Sequence, residues 1–214
     1  MSSLIFYTDE SQALIATDSL AVDAHGNPAF FCSKANHIPH LKMIVAGTGA
    51  GGFSNEWALQ ASTRMVVKGI HNLDYHTPEG LRALWEQYKE KYSLPEGFTT
   101  TVYQFGISEK AEGVVGFAYR STNNFISEEI GYGTGVKPEC DVLEGNLIEL
   151  LPEMMKQQRL IQNSAPKNER VYIGGEIIAF HLTTNGCNTF KVSEFDDFSE
   201  HVASIFENYE SNKS

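Results

Sequence analysis

At 214 residues with 42% hydrophobic content, the chain is long enough to bury roughly 70% of the surface its unfolded form exposes, so residues 1–214 read as one domain. Twenty-seven acidic against sixteen basic side chains leave a net charge of −11; with no basic patch to offset it, nucleic acid and anionic membrane surfaces are excluded as expected partners. No apolar run reaches roughly eighteen residues and Lys34 is the first basic residue, so neither a membrane span nor a secretory signal is read, and a cytoplasmic location is expected.

The first half reads as short strands broken by turns: Leu4 to Thr8, a turn at Asp9-Glu10-Ser11, then Ala13 to Thr17, Ala29 to Ser33 and Lys42 to Ala46. A glycine cluster leads into a helix over about Asn55 to Val67, with Trp57, Ala61 and Met65 on one face. Thr77 as cap and Pro78 at the first helical position predict a second helix, striped by Leu81, Leu84, Trp85, Tyr88 and Tyr92. Strands follow at Thr99 to Ile107, Gly113 to Thr122 and Phe125 to Gly131. Leu143, Leu147, Leu150, Leu151 and Met154 keep helical spacing, and Pro152 predicts a kink or two consecutive helices. Val171 to Thr183 and Thr189 to Val192 complete the strands. A last amphipathic helix carries Phe195, Phe198, Val202, Ile205, Phe206 and Tyr209, and a polar tail from Glu210 is expected to fray. Grouped strands alternating with grouped helices predict an α+β fold, a four-layer αββα sandwich of two stacked antiparallel sheets with helices on both outer faces.

Ser2 carries the chemistry of greatest interest. A residue that holds both a chain-terminal amine and a hydroxyl is a compact catalytic unit, because the amine has an ordinary pKa of about 7.7 to 8.0 and takes the hydroxyl proton near neutrality. Serine is small enough for Met1 to be removed by a methionine aminopeptidase. Such a nucleophile needs a cation to keep the amine neutral, a carboxylate to fix that cation, and backbone N–H groups for the oxyanion.

Ser2 and Asp18 lie sixteen positions apart, and so do Asp18 and Lys34. With Ser2-Ser3 at the start, Ala16-Thr17-Asp18-Ser19, the run Gly47-Thr48-Gly49-Ala50-Gly51-Gly52, and Tyr172-Ile173-Gly174-Gly175 before a strand ending in Thr183-Thr184-Asn185-Gly186, the chain resembles the proteasome β-subunits, members of the N-terminal nucleophile hydrolase superfamily. The resemblance implies an amidohydrolase acting on peptides, with Ser2 as nucleophile, Asp18 and Lys34 beside it, Gly51 donating the oxyanion N–H and Thr134, in Gly133-Thr134-Gly135, as a further hydroxyl. It also implies a substrate pocket lined by Ala21, Cys32, Gly49 and Phe53, no cofactor, and a homo-oligomer, with a ring among its forms. Two positions depart from the family: Arg170 stands where an aspartate is usual and Ile173 where a serine is. They motivate an alternative, a proteasome-like subunit that serves as a structural or binding component. Non-catalytic α-type subunits carry a helical extension before the first strand, and the β-type comparison is favoured here.

A third reading comes from Gly47, Gly49 and Gly52, which spell the G-x-G-x-x-G of a nicotinamide dinucleotide turn; that motif needs a parallel strand after the helix, whereas 68–76 is short and polar. His37 and His40 are separated by Ile38-Pro39 and have no third partner, so no metal site is read. Cys32, Cys140 and Cys187 lack paired or metal-like spacing and read as buried thiols.

Overall fold

The chain opens on a hairpin whose turn is set by one carboxylate. Asp9 Oδ1 accepts from the backbone N–H groups of Ser11 (2.7 Å) and Gln12 (3.0 Å), a side-chain turn that aspartate favours. It joins β1 (Leu4–Thr8) to β2 (Gln12–Asp18), antiparallel with Leu4 opposite Thr17. The computed structural model describes residues 2–23, 25–167 and 169–211, with side chains as far as Tyr209.

From there the elements are β3 (Leu20–Val22), β4 (Pro28–Phe31), β5 (Ala35–Ile38), β6 (Met43–Gly49), α1 (Phe53–Thr63), α2 (Ile70–Tyr92), β7 (Thr100–Ile107), β8 (Val114–Arg120), β9 (Ser127–Ile130), β10 (Gly133–Lys137), α3 (Leu147–Asn163), β11 (Glu176–Thr183), β12 (Gly186–Glu194) and α4 (Phe198–Ser211). One five-stranded sheet runs in the order β10-β1-β2-β11-β12 and the other β5-β6-β7-β8-β9, while β3 and β4 form a two-stranded ribbon. Every pairing is antiparallel. The architecture is α+β, as expected.

Three groups of buried side chains tie these elements together. Phe53, Trp57, Ile70, Leu73, Leu81 and Trp85 from α1 and α2 pack with Val45, Val102, Phe117 and Tyr119 of the second sheet. Leu4, Phe6, Ile15 and Phe180 of the first sheet meet Ile44, Ala46, Tyr103 and Phe105 of the second. Ile5, Leu14, Ala16 and Ala179, on the first sheet's other face, meet Leu151, Met154 and Met155 of α3. The alternation of Leu4 and Phe6 against Ile5 is the two-residue period of a strand. Both faces are covered, which is why β1 and β2 read as almost unbroken apolar runs.

Several elements depart from expectation. The second helix begins at Ile70 rather than at Thr77, so Pro78 lies inside it. Its start is capped from a distance: Glu109, in the loop after β7, accepts from the N–H groups of His71 (3.1 Å) and Asn72 (2.7 Å), satisfying donors that a helix start leaves open. Thr77 is buried in the helix interior, its hydroxyl donating to Leu73 O (2.8 Å) and accepting from Gln104 Nε2 of β7 (3.1 Å). The same face of α2 is tied to β8 by Tyr119, whose hydroxyl donates to Asp74 at 2.7 Å; burial and the Asp74 charge push that hydroxyl well above its ordinary range, so it remains a donor. Pro152 lies inside a single α3 and not between two consecutive helices, and Asn146 caps the start by accepting from Ile148 N (3.2 Å). The segment before Glu176, expected as strand from Val171, joins no ladder. Strands β3, β5 and β10 are additional. Helix α4 extends through Ser211, beyond the expected onset of fraying at Glu210, and the rest of that tail lies outside the described residues.

Gly80 shows how tightly α2 packs on α1. A Cβ there would come within 2.7 Å of Cη2 and Cζ3 of the fully buried Trp57. Glycine to alanine inside a helix ordinarily gains up to about 1 kcal/mol, but overpacking a filled core costs about 1–3 kcal/mol. Gly80→Ala is therefore expected to lower stability in urea unfolding; a rise in the midpoint would show that Trp57 yields freely. No helix among the described residues is long and apolar enough to cross a membrane.

Candidate active site

The antiparallel pairing of Leu4 with Thr17 sets Asp18 opposite Ser3, one step further along the hairpin. Ser3 N–H accordingly donates to Asp18 Oδ1 at 2.9 Å. The carboxylate is 0% exposed and has two further donors: Lys34 Nζ reaches Oδ1 at 2.8 Å, and Gly174 N–H reaches Oδ2 at 3.1 Å. A buried carboxylate is stable as an anion only when so surrounded. Lys34 stands just before β5 and is 8% exposed. An ammonium has three protons to donate, and Asp18 is the hydrogen-bond partner of Lys34 among the described residues.

The start of β1 is pinned from a second direction. Ser3 Oγ donates to Gln158 Oε1 of α3 at 2.5 Å, and Gln158, fully buried, donates through Nε2 to Pro138 O. Ser2 is thereby set at the mouth of a cleft of about 500 Å3, lined among others by Ser2, Lys34, Gly51, Ala21 and Cys32. Ser2 itself is 9% exposed.

The glycine turn between β6 and α1 lines the same cleft through Ala50, Gly51 and Gly52. Gly49 and Gly52 both have φ in the left-handed region, +92° and +85°, where only glycine sits without strain. A Cβ on Gly51 would meet nothing within 4 Å, so the space beside its Cα is open. Gly51 O accepts from the Tyr88 hydroxyl of α2, which fixes the turn's orientation. Burial pushes that hydroxyl up to about 12, so it remains a donor at neutral pH. Gly51 N–H makes no hydrogen bond among the described residues. It is thus an unused donor on a turn that lines the same cleft as Ser2.

Four of the expected site residues therefore gather at one place: Asp18 and Lys34 form a buried pair, and Ser2 and Gly51 line the adjoining cleft. Thr134 does not join them. It lies in β10 opposite Tyr7, five residues along β1 from Ser2, or roughly 16 Å at strand rise. Ala21 and Cys32 line the cleft as expected, while Gly49 and Phe53 do not. Gly49 is pressed against the neighbouring strand, with Thr99 O 2.2 Å from the place of a Cβ, and Phe53 is fully buried against Trp85 and Tyr88, at ring separations of 5.0 and 5.3 Å. A bulky residue at Gly49 would strain the sheet and report on folding instead of on substrate choice. Burial raises the Cys32 thiol, which keeps it protonated and inert at neutral pH. Burial likewise raises Cys140 and Cys187, and all three are free thiols.

Sequence reasoning missed three contributors. Gly174 is one: Ile173 beside it points into the core with α3, so this segment offers Asp18 a backbone N–H and no hydroxyl. Gln158 is the second and Tyr88 the third, each brought in from a helix remote in sequence. Ser19 braces the same corner, its hydroxyl accepting from Glu176 N at 2.8 Å. A Cβ on Gly175, at φ +80°, would fall 2.5 Å from that hydroxyl, which is why glycine stands there. The dinucleotide reading of the glycine turn fails on topology: β7 returns antiparallel to β6, whereas that motif belongs to a parallel βαβ unit. No three His, Cys, Asp or Glu side chains among the described residues gather as metal ligands would.

No protein-family model and no curated protein sequence matches the chain. Among solved structures it is similar to Anbu (ancestral beta-subunit) from Yersinia bercovieri, with a TM-score of 0.60, 11% identity, and coverage of 98% of this chain and 94% of that one. The likeness is one of fold, and the fold is proteasome-like.

Proposed function

We propose that the chain is an N-terminal nucleophile amidohydrolase of the proteasome β-subunit type, acting on peptides or related amides through Ser2 once Met1 has been removed. The observation that carries this reading is the buried carboxylate of Asp18, shared between Lys34 Nζ and Ser3 N–H beside a cleft that Ser2 and Lys34 line. Met1 lies outside the described residues.

In this reading the Ser2 amine takes the proton from Ser2 Oγ as the oxygen bonds to the substrate carbonyl, and Gly51 N–H receives the oxyanion. The amine then returns the proton to the departing nitrogen as the C–N bond breaks, leaving an ester on Ser2. Water, deprotonated by the same amine, attacks that ester, and Ser2 Oγ leaves with the proton. Lys34 keeps the amine neutral, and Asp18 holds Lys34. The three packed groups of side chains support a four-layer αββα sandwich built from one domain. A cytoplasmic homo-oligomer, ring-shaped or otherwise, belongs to the same proposal.

The test is intact-mass analysis with a β-lactone or epoxyketone probe. A chain that lacks Met1 and gains one probe on Ser2, with no gain in Ser2→Ala, is the expected result. A chain that retains Met1, or one that stays unmodified at high probe concentration, would overturn it. The second outcome fits the other reading, a non-catalytic structural or binding subunit, which Arg170 and Ile173 favour by replacing an acid and a hydroxyl usual in the family.

A further inference from the structure

The cleft is lined by three charged side chains, and two of them have partners of opposite sign. Lys34 is paired with Asp18 at 2.8 Å. Glu56 accepts from Lys91 Nζ at 2.9 Å and from the Tyr92 hydroxyl at 3.3 Å. The third is Arg170. Among the described residues no carboxylate lies within ion-pair distance of it. Its Nη2 donates to two backbone carbonyls just beyond the end of α3 and in its last turn, Ala165 O at 3.1 Å and Asn163 O at 2.6 Å. Those bonds hold the guanidinium in place without neutralising it. Nε is shielded from water, and among the described residues neither Nε nor Nη1 has an acceptor. Its carbon Cζ also lies 6.0 Å from the centroid of the Tyr172 ring, another lining residue of the cleft, so among the described residues Arg170 is the charged side chain of this cleft that has no partner of opposite sign.

Both Nη2 protons are committed to those carbonyls and Nε is enclosed by protein, so Nη1, with two protons left, is the donor suited to a charge-assisted hydrogen bond from a carboxylate oxygen. Another part of the cleft is apolar: Leu20, Val22, Leu94, Phe30 and Phe98 line it, and the two phenylalanines are 56% and 39% exposed. Large aromatic side chains left open in a concave site are what an apolar ligand group covers. We infer that Arg170 is a specificity-determining residue, and that the cleft takes an amide carrying a carboxylate for Arg170 and an apolar side chain for the Phe30–Phe98 wall. The inference rests on the reading of this cleft as a substrate site, and it adds the class of substrate.

The test uses two pairs of peptides, acetyl-Phe-Glu-amide with acetyl-Phe-Gln-amide and acetyl-Glu-Phe-amide with acetyl-Gln-Phe-amide, titrated calorimetrically into the full chain carrying Ser2→Ala, so that nothing turns over. At least one acidic peptide should bind about tenfold more tightly than its neutral partner. In the Ser2→Ala, Arg170→Gln chain the acidic peptide should fall to the affinity of the neutral one. A purely structural Arg170 would weaken acidic and neutral peptides alike, so loss of the difference, and not loss of affinity, is the diagnostic readout. Equal binding within both pairs, no binding of either acidic peptide, or a preference that survives Arg170→Gln would overturn the inference. Discrimination in a chain whose Ser2 is inert to the β-lactone would remove the catalytic reading and keep the anion site; a reactive Ser2 without discrimination would do the reverse.

Discussion

Replacing Asp18 with alanine is expected to destabilise the chain by about 3–5 kcal/mol, the range for breaking a buried ion pair from one side. The loss is not that of the attraction alone. Lys34, 8% exposed, would be left as a cation without its counter-charge, and the N–H groups of Ser3 and Gly174 would lose their acceptor. Each orphaned donor adds to the penalty. Asp18→Asn keeps the volume and one acceptor oxygen but faces three donors with an amide that is half donor itself, so it should lose an intermediate amount. The double change Asp18→Ala, Lys34→Met removes both charges and should be less damaging than Asp18→Ala by itself, a coupling that a double-mutant cycle measures. Urea unfolding of the unmodified chain, Asp18→Ala, Lys34→Met and the double variant gives the cycle, with Asp18→Asn measured beside them. A loss below about 1 kcal/mol for Asp18→Ala would mean that the pair is effectively solvated and that the corner where β1, β2 and the Gly174 segment meet is open.

What could be seen in the sequence follows from which contacts are local. The first sixteen-residue interval is a hairpin register: with Leu4 opposite Thr17, the residue after Ser2 must face Asp18, so any chain with this turn brings them together. The second interval crosses the β3–β4 ribbon, which is closed by Cys32 N–H on Ser19 O at 2.9 Å and delivers Lys34 back to Asp18. The glycine turn was legible because only glycine tolerates the φ of Gly49 and Gly52. Other features depended on partners far along the chain. The start of α2 is set by Glu109, almost forty residues on, and no local pattern could outweigh the apparent cap at Thr77-Pro78. Strands β3, β5 and β10, of three to five residues, are too short for alternation to register. The pocket departs from expectation at Gly49 and Phe53 because the left-handed residues at 49 and 52 turn the chain: Ala50 to Gly52 line the cleft, while Phe53 faces the helix core and Gly49 lies against Thr99 and Thr100. Gln158 and Tyr88 sit on helical stripes that read as packing faces, and nothing in their spacing separates a side chain that braces a site from one that fills a core.

Lys34→Met tests the chemistry where Asp18→Ala tests the scaffold. Methionine approximates the lysine stem and removes the charge, leaving Asp18 with its two backbone donors. A neighbouring cation disfavours the protonated form of an amine, so without Lys34 the Ser2 amine would hold its proton to higher pH. Less of it would be available as a base at neutrality, and the rate of β-lactone acylation at pH 7 should fall by roughly 10²–10⁴-fold, the range of general-base contributions. The acidic limb of the rate–pH profile should move to higher pH in the same variant, and raising the pH should recover part of the rate. Ser2→Ala should recover nothing at any pH. The unfolding midpoint should fall in either case, because the buried Asp18 carboxylate loses its counter-charge, so the profile and not the midpoint is the readout. An unshifted profile in the folded Lys34→Met chain would remove Lys34 from the proton path and leave Asp18 and Lys34 as a buried pair that only holds β1 in place.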